Sequence, residues 1–452
     1  MDEIIALCKR RGFIFPSSEI YGGLANSWDF GHYGTLLKNN IRDSWWQTFV
    51  LNRDDMTGLD ASIFLSPKAW QASGHVSGFT DSLVDCRNCK FRTRADHLIE
   101  EKVKDIKVEG FSVERLTKII KEHKLKCPKC GKDDLTDVRC FNLLFETKMG
   151  IVEDTKATLY LRGEIAQGIF LNFKNVLNSL RVKIPFGIAQ QGKAFRNEIT
   201  LGRSVFRTME FDLMEFEYFI NPKDGWENVY RYWQTEMWNW ALSLGITPSK
   251  LRWREHEIFE RSFYSQKTMD IEYNFSFGWK EMFGLAYRTD FDLKNHMEKS
   301  GKDLRYHDQK TNNKYIPHVI EPTFGLSRLV GIVLEDAFTV ENVKETQRVY
   351  LKLDPSIAPV KVAVFPLQKD EKLRKISGHL YENIKKKFVA EYDNTGNIGK
   401  MYRRQDEIGT PFCITVDYQS VEDNTVTIRE RDTMSQKRIP MSNVVTFLDD
   451  RI

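Results

Sequence analysis

The run Phe211–Phe219 (FDLMEFEYF) constrains this chain more than any other stretch. Successive side chains of an extended strand point to opposite faces. One face therefore carries Phe211, Leu213, Glu215, Glu217 and Phe219, and the other Met214, Phe216, Tyr218 and, one residue on, Ile220. The second set is apolar enough to require a core, so the two carboxylates look either to water or into a cleft. Upstream, residues 184–191 and 193–198 read as strands, and the turn-like ITLGRS leads into a longer strand from about Arg207 to Ile220. Arg196 and Glu198 of FRNEI are two apart, which puts them on one face of a strand. Such a pair can grip a phosphate with its guanidinium and accept from an adenine amino group with its carboxylate. A single RxE is more often a cross-strand ion pair. Arg203 and Arg207 add positive charge suited to a polyphosphate. In EPTFGLSRL, Glu321 precedes a strand end and Arg328 falls in the first turn of the next helix, where free N–H groups favour anions.

The 452 residues are too many for one ordinary domain. Hydrophobic residues at 41% and charged residues at 29% match a soluble globular protein. The sequence has no apolar run of about 18 residues, and acids open MDEIIALCKRRGF, so a cytoplasmic chain without membrane span or leader is expected. Leu37, Ile41 and Trp45 recur at helical spacing and predict a helix from Gly34 to about Leu51. Residues 86–140 are polar, hold five of the seven cysteines and read as an insertion. Beyond Phe141 come a tryptophan-rich helix at 226–245, short strands around 271–277 and 286–291, and an apolar helix from Leu326 to Phe338. Long antiparallel strands with flanking helices predict an α+β fold, not a doubly wound one. LDPSIAP at 353–359 reads as a linker, and VKVAVFPL, a helix from Lys372 to Val389, FCITVDY and TVTIRERD as a compact α/β domain. The expected divisions are 1–85 and 141–355 for one interrupted domain, 86–140 for the insertion and 356–452 for the last domain.

A net charge of +4 neither demands nor forbids a nucleic-acid partner. Residues 361–408 hold 11 basic against 7 acidic residues, an excess equal to that of the whole chain; a solvated helix face explains it equally well. Cys86, Cys89, Cys127 and Cys130 form two CxxC pairs. Four thiolates at this spacing suit tetrahedral Zn²⁺, and a fourth cysteine leaves no position open, so the site reads as structural; reduced thiols are the alternative. Cys8, Cys140 and Cys413 are expected to be buried.

FRNEI, a loop, then RTMEF resembles motif 2 of class II aminoacyl-tRNA synthetases, EPTFGLSRL resembles motif 3, and residues 13–51 with LKNNIRDSWW resemble motif 1. LRGEIAQGIF, GLAYRTDFDL and YRRQDEIGTPFCITVD are similar to the homodimeric glycyl-tRNA synthetase family in particular, in order along nearly the whole chain. The resemblance implies a class II antiparallel sheet flanked by helices, a zinc-type insertion and a C-terminal α/β anticodon-binding domain. It implies a homodimeric ligase that makes glycyl-adenylate from glycine and ATP with Mg²⁺, then transfers glycine to the 3′ end of tRNA-Gly. Arg196 would hold the α-phosphate, Glu198 read adenine N6, and Phe211 and Arg328 sandwich the base, with Arg328 reaching the γ-phosphate. Asn197, Ile199, Phe206, Arg207, Glu281, Met282 and Gly325 would complete the ATP site, Glu281 also helping to hold Mg²⁺. For glycine it implies Arg94 at the carboxylate, Glu164, Glu215 and Glu321 around the amino group, and Phe211, Thr323 and Gly325 nearby. Tyr402, Arg403, Arg404 and Gln405 would meet anticodon bases. The chain departs from the usual pattern at His32–Tyr33, at Gly163 and Ile165 beside Glu164, at Met209, at Ser327, and at Thr323 in place of Ser. Two rival readings are a catalytically inactive synthetase relative, which would have lost the arginines and acids retained here, and a prolyl- or threonyl-type synthetase.

Overall fold

The computed structural model describes every residue except 1, 104, 105, 107, 109, 151–156, 199–203 and 344–345. Seven strands form the central sheet: β1 Met56–Leu59, β2 Phe186–Phe195, β3 Glu210–Ile220, β4 Leu251–Glu255, β5 Lys267–Phe275, β6 Gly278–Thr289 and β7 His318–Gly325. Their order is β4-β5-β6-β7-β3-β2-β1, antiparallel except for the parallel β1–β2 pair. The helices that bear on the site are α1 Asp2–Arg11, α2 His32–Trp46, α3 Ala166–Leu180, α4 Trp226–Ser243, α5 Phe291–Ser300, α6 Leu326–Ala337 and α7 Ile398–Ile408.

Alternation in β3 splits two cores. Met214, Phe216, Tyr218 and Ile220 enter the larger one, where Phe216 packs on Trp45 of α2 and Trp233 of α4. Phe219 on the opposite face packs with Phe170 and Phe173 of α3 in a second core. The acidic face is thus roofed by α3 over part of its length, and Glu215 and Glu217 lie in a closed cleft, not at a water-facing surface. Gly278 turns the β5–β6 hairpin at φ +103°, a conformation that favours glycine.

Several expectations shift. The two strands foreseen at 184–191 and 193–198 are one, β2, so Arg196 and Glu198 lie past its end and outside regular strand. The strand foreseen at 286–291 is the end of the longer β6, which also carries Glu281 and Met282. The helix foreseen to Leu51 is α2 followed by a π-helical turn, Gln47–Leu51. The helix foreseen to Val389 ends at Ile384. Residues 353–359 are no free tether: Ile357 and Ala358 are fully buried, and Asn40 Nδ2 donates to both of their carbonyls.

The inserted region builds on a three-stranded sheet of Thr80–Asp85, Arg92–Arg94 and Arg139–Asn142. The C-terminal region is a five-stranded mixed sheet, with parallel strands Ala390–Tyr392, Val362–Pro366 and Phe412–Val416 and two antiparallel strands beyond. Ion pairs, one of them buried, join it to the rest. Arg348 Nε donates to Asp406 of α7 at 2.9 Å, and Glu407 receives Arg10 and Arg11 of α1.

Candidate active site

β3, β6 and β7 lie side by side, and their inward residues form a buried acidic pocket. Register pairs Glu215 with Thr323 and Glu321 with Ala286. Glu164, from the turn before α3, closes one side, and Asp292 of α5 another. The guanidinium hydrogen-bonded into them is that of Arg288, fully buried near the end of β6. It donates twice to Asp292, at 2.8 Å each, and once to Glu321 at 2.7 Å, with Glu164 at 3.8 Å; the Tyr264 ring lies under it at 3.8 Å. Gln167 Nε2 donates to both Glu164 and Asp292 at 2.9 Å, and His75 Nε2 stands 3.2 Å from Glu164.

One arginine cannot neutralise this many carboxyls, and their titration divides accordingly. Burial pushes Glu164 up, but His75 and Arg288 outweigh it and hold the group well below the ordinary carboxylate range. Burial lifts Glu321 to about 7 against the pull of Arg288. Burial, then Glu321, raise both Glu215 and Glu217 well above the ordinary value. Glu215 Oε2 accepts from Thr323 Oγ1 at 3.3 Å, while its Oε1 has no partner among the described residues. Such a pocket attracts a small cation that brings its own donors.

Next to it, at the end of β3, opens a cavity lined by Arg196, Glu198, Phe206, Arg207, Phe211, Glu281, Thr323, Gly325 and Arg328. Arg196 is fixed by donating Nε to the Gly163 carbonyl at 3.0 Å, with Phe79 and Phe211 at 5.1 and 5.4 Å from its guanidinium. Gly163 is needed there as a small residue, because a Cβ would meet the Phe79 ring at 2.9 Å and Leu144 at 3.0 Å. Glu198 Oε2 is buried and has no hydrogen-bond partner among the described residues; Arg207 stands 3.8 Å from it. An unfilled acceptor in a cavity wall is set to take an N–H from a ligand. Arg328 is braced by the Glu281 carboxylate at 3.0 Å and the Glu281 and Phe206 carbonyls, and it in turn lowers the Glu281 carboxyl.

The remaining sequence candidates divide. Met282 is buried in the main core, so its side chain cannot face a nucleotide. Asn197 is tied by its backbone N–H to the Leu143 carbonyl and does not line the cavity. Ile199, like Arg203, lies outside the described residues. Arg94 stands near Glu198 but is held by Asp81 at 3.0 Å and Asp96 at 2.5 Å. Arg288, Asp292, Gln167 and His75 were not singled out from sequence. The first two occur in GLAYRTDFDL four residues apart, and the short turn from β6 into α5 brings them together. Asp212 and Ser327 also line the cavity, Ser327 Oγ accepting the Asp212 N–H at 3.0 Å.

The four CxxC sulfurs lie within 4.8 Å of one another, with Cys86–Cys130 and Cys89–Cys127 both at 3.6 Å. Sulfurs at the corners of a tetrahedron around Zn²⁺ sit ~3.8 Å apart for Zn–S bonds near 2.3 Å. The two knuckles turn alike: Lys90 and Gly131, each one past a second cysteine, have φ of +59° and +70° and donate back to Cys86 and Cys127. The set fits a closed tetrahedral metal. Of the other thiols, Cys8 and Cys413 are buried as foreseen, but Cys140 is exposed, because it alternates outward on an edge strand of the three-stranded sheet.

On α7, four consecutive residues cannot share one face. Arg403 is exposed, and Arg404 pairs with Asp393. Tyr402 packs on Phe365 with its hydroxyl on Thr415 at 2.6 Å. Gln405 is buried between Glu391 and Thr410. Gln405 and Tyr402 therefore belong to the interior of the helix face, contrary to their reading as base contacts.

An antiparallel sheet with this arginine-lined cavity at the ends of its central strands fits a class II synthetase core. Residues 145–337 match the family described as tRNA synthetase class II core domain (G, H, P, S and T), and residues 361–451 match the anticodon binding domain. Glycine–tRNA ligases from Caldanaerobacter subterraneus subsp. tengcongensis, Clostridium acetobutylicum and Geobacillus kaustophilus are 52%, 50% and 50% identical to the chain. Each comparison spans 100% of this chain and 98%, 98% and 99% of the relative. The chain belongs to the glycine–tRNA ligase family.

Proposed function

We propose that this chain activates glycine with ATP to glycyl-adenylate and transfers it to the 3′ end of tRNA-Gly. The observation that carries the reading is the buried carboxylate pocket of Glu164, Glu215 and Glu321 opening beside the nucleotide cavity. Glycine has no side chain to hold, so its recognition rests on its charged ends. The ammonium enters the acidic pocket. Its carboxylate faces Arg196, with Arg94 contributing charge from the rim, and attacks the α-phosphate that Arg196 holds. A fixed donor of this kind contributes ~2.7–4 kcal/mol to the transition state. Glu198 accepts from the adenine amino group through Oε2, which has no partner among the described residues, and Phe211 and Arg328 enclose the base. Mg²⁺ supplies charge neutralisation on the phosphates, with the half-exposed Glu281 as its protein ligand. An added methyl on the substrate is rejected by clash, which discriminates more strongly than a missing methylene.

Cys86, Cys89, Cys127 and Cys130 hold one structural Zn²⁺ beside Arg94. The chain is cytoplasmic; no described helix is long and apolar enough to cross a membrane. It pairs as a homodimer, supported by one loop that exposes Ile20 at 88%, Tyr21 at 87% and Leu24 at 57%. Arg403 contacts the anticodon, while Tyr402, Arg404 and Gln405 hold α7 in place. ATP–pyrophosphate exchange with glycine, alanine, serine, proline and threonine tests the reading. Exchange with glycine alone is expected. Folded, ATP-binding protein that exchanges with none of the five would overturn it in favour of an inactive relative.

A further inference from the structure

Glu217 has no part in the roles above, yet it is the most enclosed acid of the pocket, at 0% exposure. Neither of its carboxylate oxygens has a hydrogen-bond partner among the described residues. The β3–β7 register, Glu215 with Thr323 and Tyr218 with Ile320, sets Glu217 opposite Glu321 across the ladder. Glu215, Glu217 and Glu321 each place an oxygen within 4.8 Å of the others. Like charges opposite each other on a sheet repel, and a buried carboxylate with no donor is costly. A proton between Glu217 and Glu321 removes both penalties, because a protonated carboxyl is itself a donor.

Among the described residues no group facing Glu217 donates to it, the Tyr264 ring under Arg288 included. Glu215 lies on its own strand and Glu321 on β7. From β6 and α5 come Arg288 and Asp292, whose charges largely answer each other through two hydrogen bonds. From α3 and the turn before it come Gln167 and Glu164, with His75 on Glu164 and His296 on Gln167. Arg288 spends its third bond on Glu321 and makes none to Glu217.

We propose that Glu217 and Glu321 share one proton in the empty pocket, and that this proton leaves to solvent when the glycine ammonium enters. Glu217 is then a positioning residue: it keeps Glu321 in place without a cation and returns the full charge of the pair once the ammonium supplies the donors. The proposal rests on the glycine reading of the pocket. In the balance, R–NH₃⁺ enters, one O–H of the carboxyl pair breaks, and H⁺ passes to buffer. Burial raises both carboxyls, and Glu321 to about 7, so the exchange falls in a measurable range.

The test is the pH profile of KM for glycine in ATP–pyrophosphate exchange between pH 5.5 and 8.5, with the full chain and with Glu217→Gln. Glutamine has the shape of a protonated glutamate, so the variant should fold; its melting temperature and its KM for ATP check this. In the wild type, KM for glycine should rise towards tenfold per pH unit on the acid side. In Glu217→Gln the slope should flatten, with KM for glycine raised about tenfold at pH 8 and less at pH 6, and KM for ATP unmoved. Binding heats of glycine in two buffers of different ionisation enthalpy should count close to one more released proton for the wild type than for the variant. A flat wild-type profile, an unchanged slope in the variant, or equal proton counts overturns the proposal. Absence of any glycine exchange by the wild type would instead overturn the functional reading beneath it.

Discussion

Replacing Arg288 with Met keeps the length and packing of the side chain and removes the only guanidinium bonded into the acidic pocket among the described residues. Three short hydrogen bonds to Asp292 and Glu321 are lost, and the Glu164 carboxylate loses its neighbour at 3.8 Å. Breaking a buried ion pair by deleting one partner costs ~3–5 kcal/mol, because the charge left behind stays desolvated. Against a total stability of ~5–15 kcal/mol the loss is large. It should also depend on pH in a definite direction. Without the guanidinium Glu321 titrates higher still, and a carboxyl raised on folding costs stability above its unfolded pKa, most fully once pH exceeds the folded value. Glu321 already stands at about 7 with Arg288 present, so at pH 5.5 its carboxyl holds a proton and feels the loss least, whereas at pH 8 it carries an uncompensated charge. Thermal unfolding followed by circular dichroism should show Arg288→Met melting lower by roughly 5–10 °C at pH 8. At pH 5.5 the loss should be clearly smaller. Equal losses at both pH values, or none at pH 8, would refute the assignment of Arg288 as the counter-ion of the pocket.

Purified without chelators, the chain should carry about one zinc, measured by mass spectrometry of the metal, and Cys127→Ser should lose it and weaken amide protection in residues 80–142. With the four ligand thiols occupied, a native thiol titration should find one fast cysteine, Cys140; rapid reaction of Cys8 or Cys413 would contradict their burial, which pushes the Cys8 thiol up to about 12. Arg328→Ala should raise KM for ATP at least tenfold, as loss of a charge-assisted contact worth ~1.5–3 kcal/mol requires. An effect confined to glycine would contradict its placement in the nucleotide cavity. Arg348→Met should lower aminoacylation of tRNA more than pyrophosphate exchange, because it cuts the bond from the catalytic side to Asp406 beside Arg403.

How much was legible in the sequence follows from the range of the forces involved. The alternation of β3 was plain because one buried face and one charged face leave a period of two in the residues themselves. The CxxC pairs were plain because metal geometry imposes a local spacing. Arg288 was not, since a buried arginine reads like a surface one until the strands that bring Asp292 and Glu321 to it are paired. The reading of 353–359 as a linker failed for a related reason: small residues and prolines signal a tether only if nothing packs on them, and Asn40, more than 300 residues away, binds that backbone. Tyr402 to Gln405 were grouped as one surface although helical geometry sends them in different directions, which turns Gln405 into a structural amide.

The placement of the pocket explains why it can afford so much like charge. Glu215, Glu217 and Glu321 stand on two paired strands in the middle of a seven-stranded sheet, and Arg288 ends the next strand. Backbone hydrogen bonds on both sides of each strand fix those positions whatever the side chains prefer, so repulsion cannot be relieved by moving apart. It is relieved only by protons or by a cation. On the proposed reading of the pocket, a ligand as small as glycine, with one ammonium and no side chain, takes the second route, and its recognition energy comes from relieving that repulsion. On that argument the same acids on a loop would spread, hydrate and lose their preference for an ammonium, and affinity would fall even with every carboxylate retained.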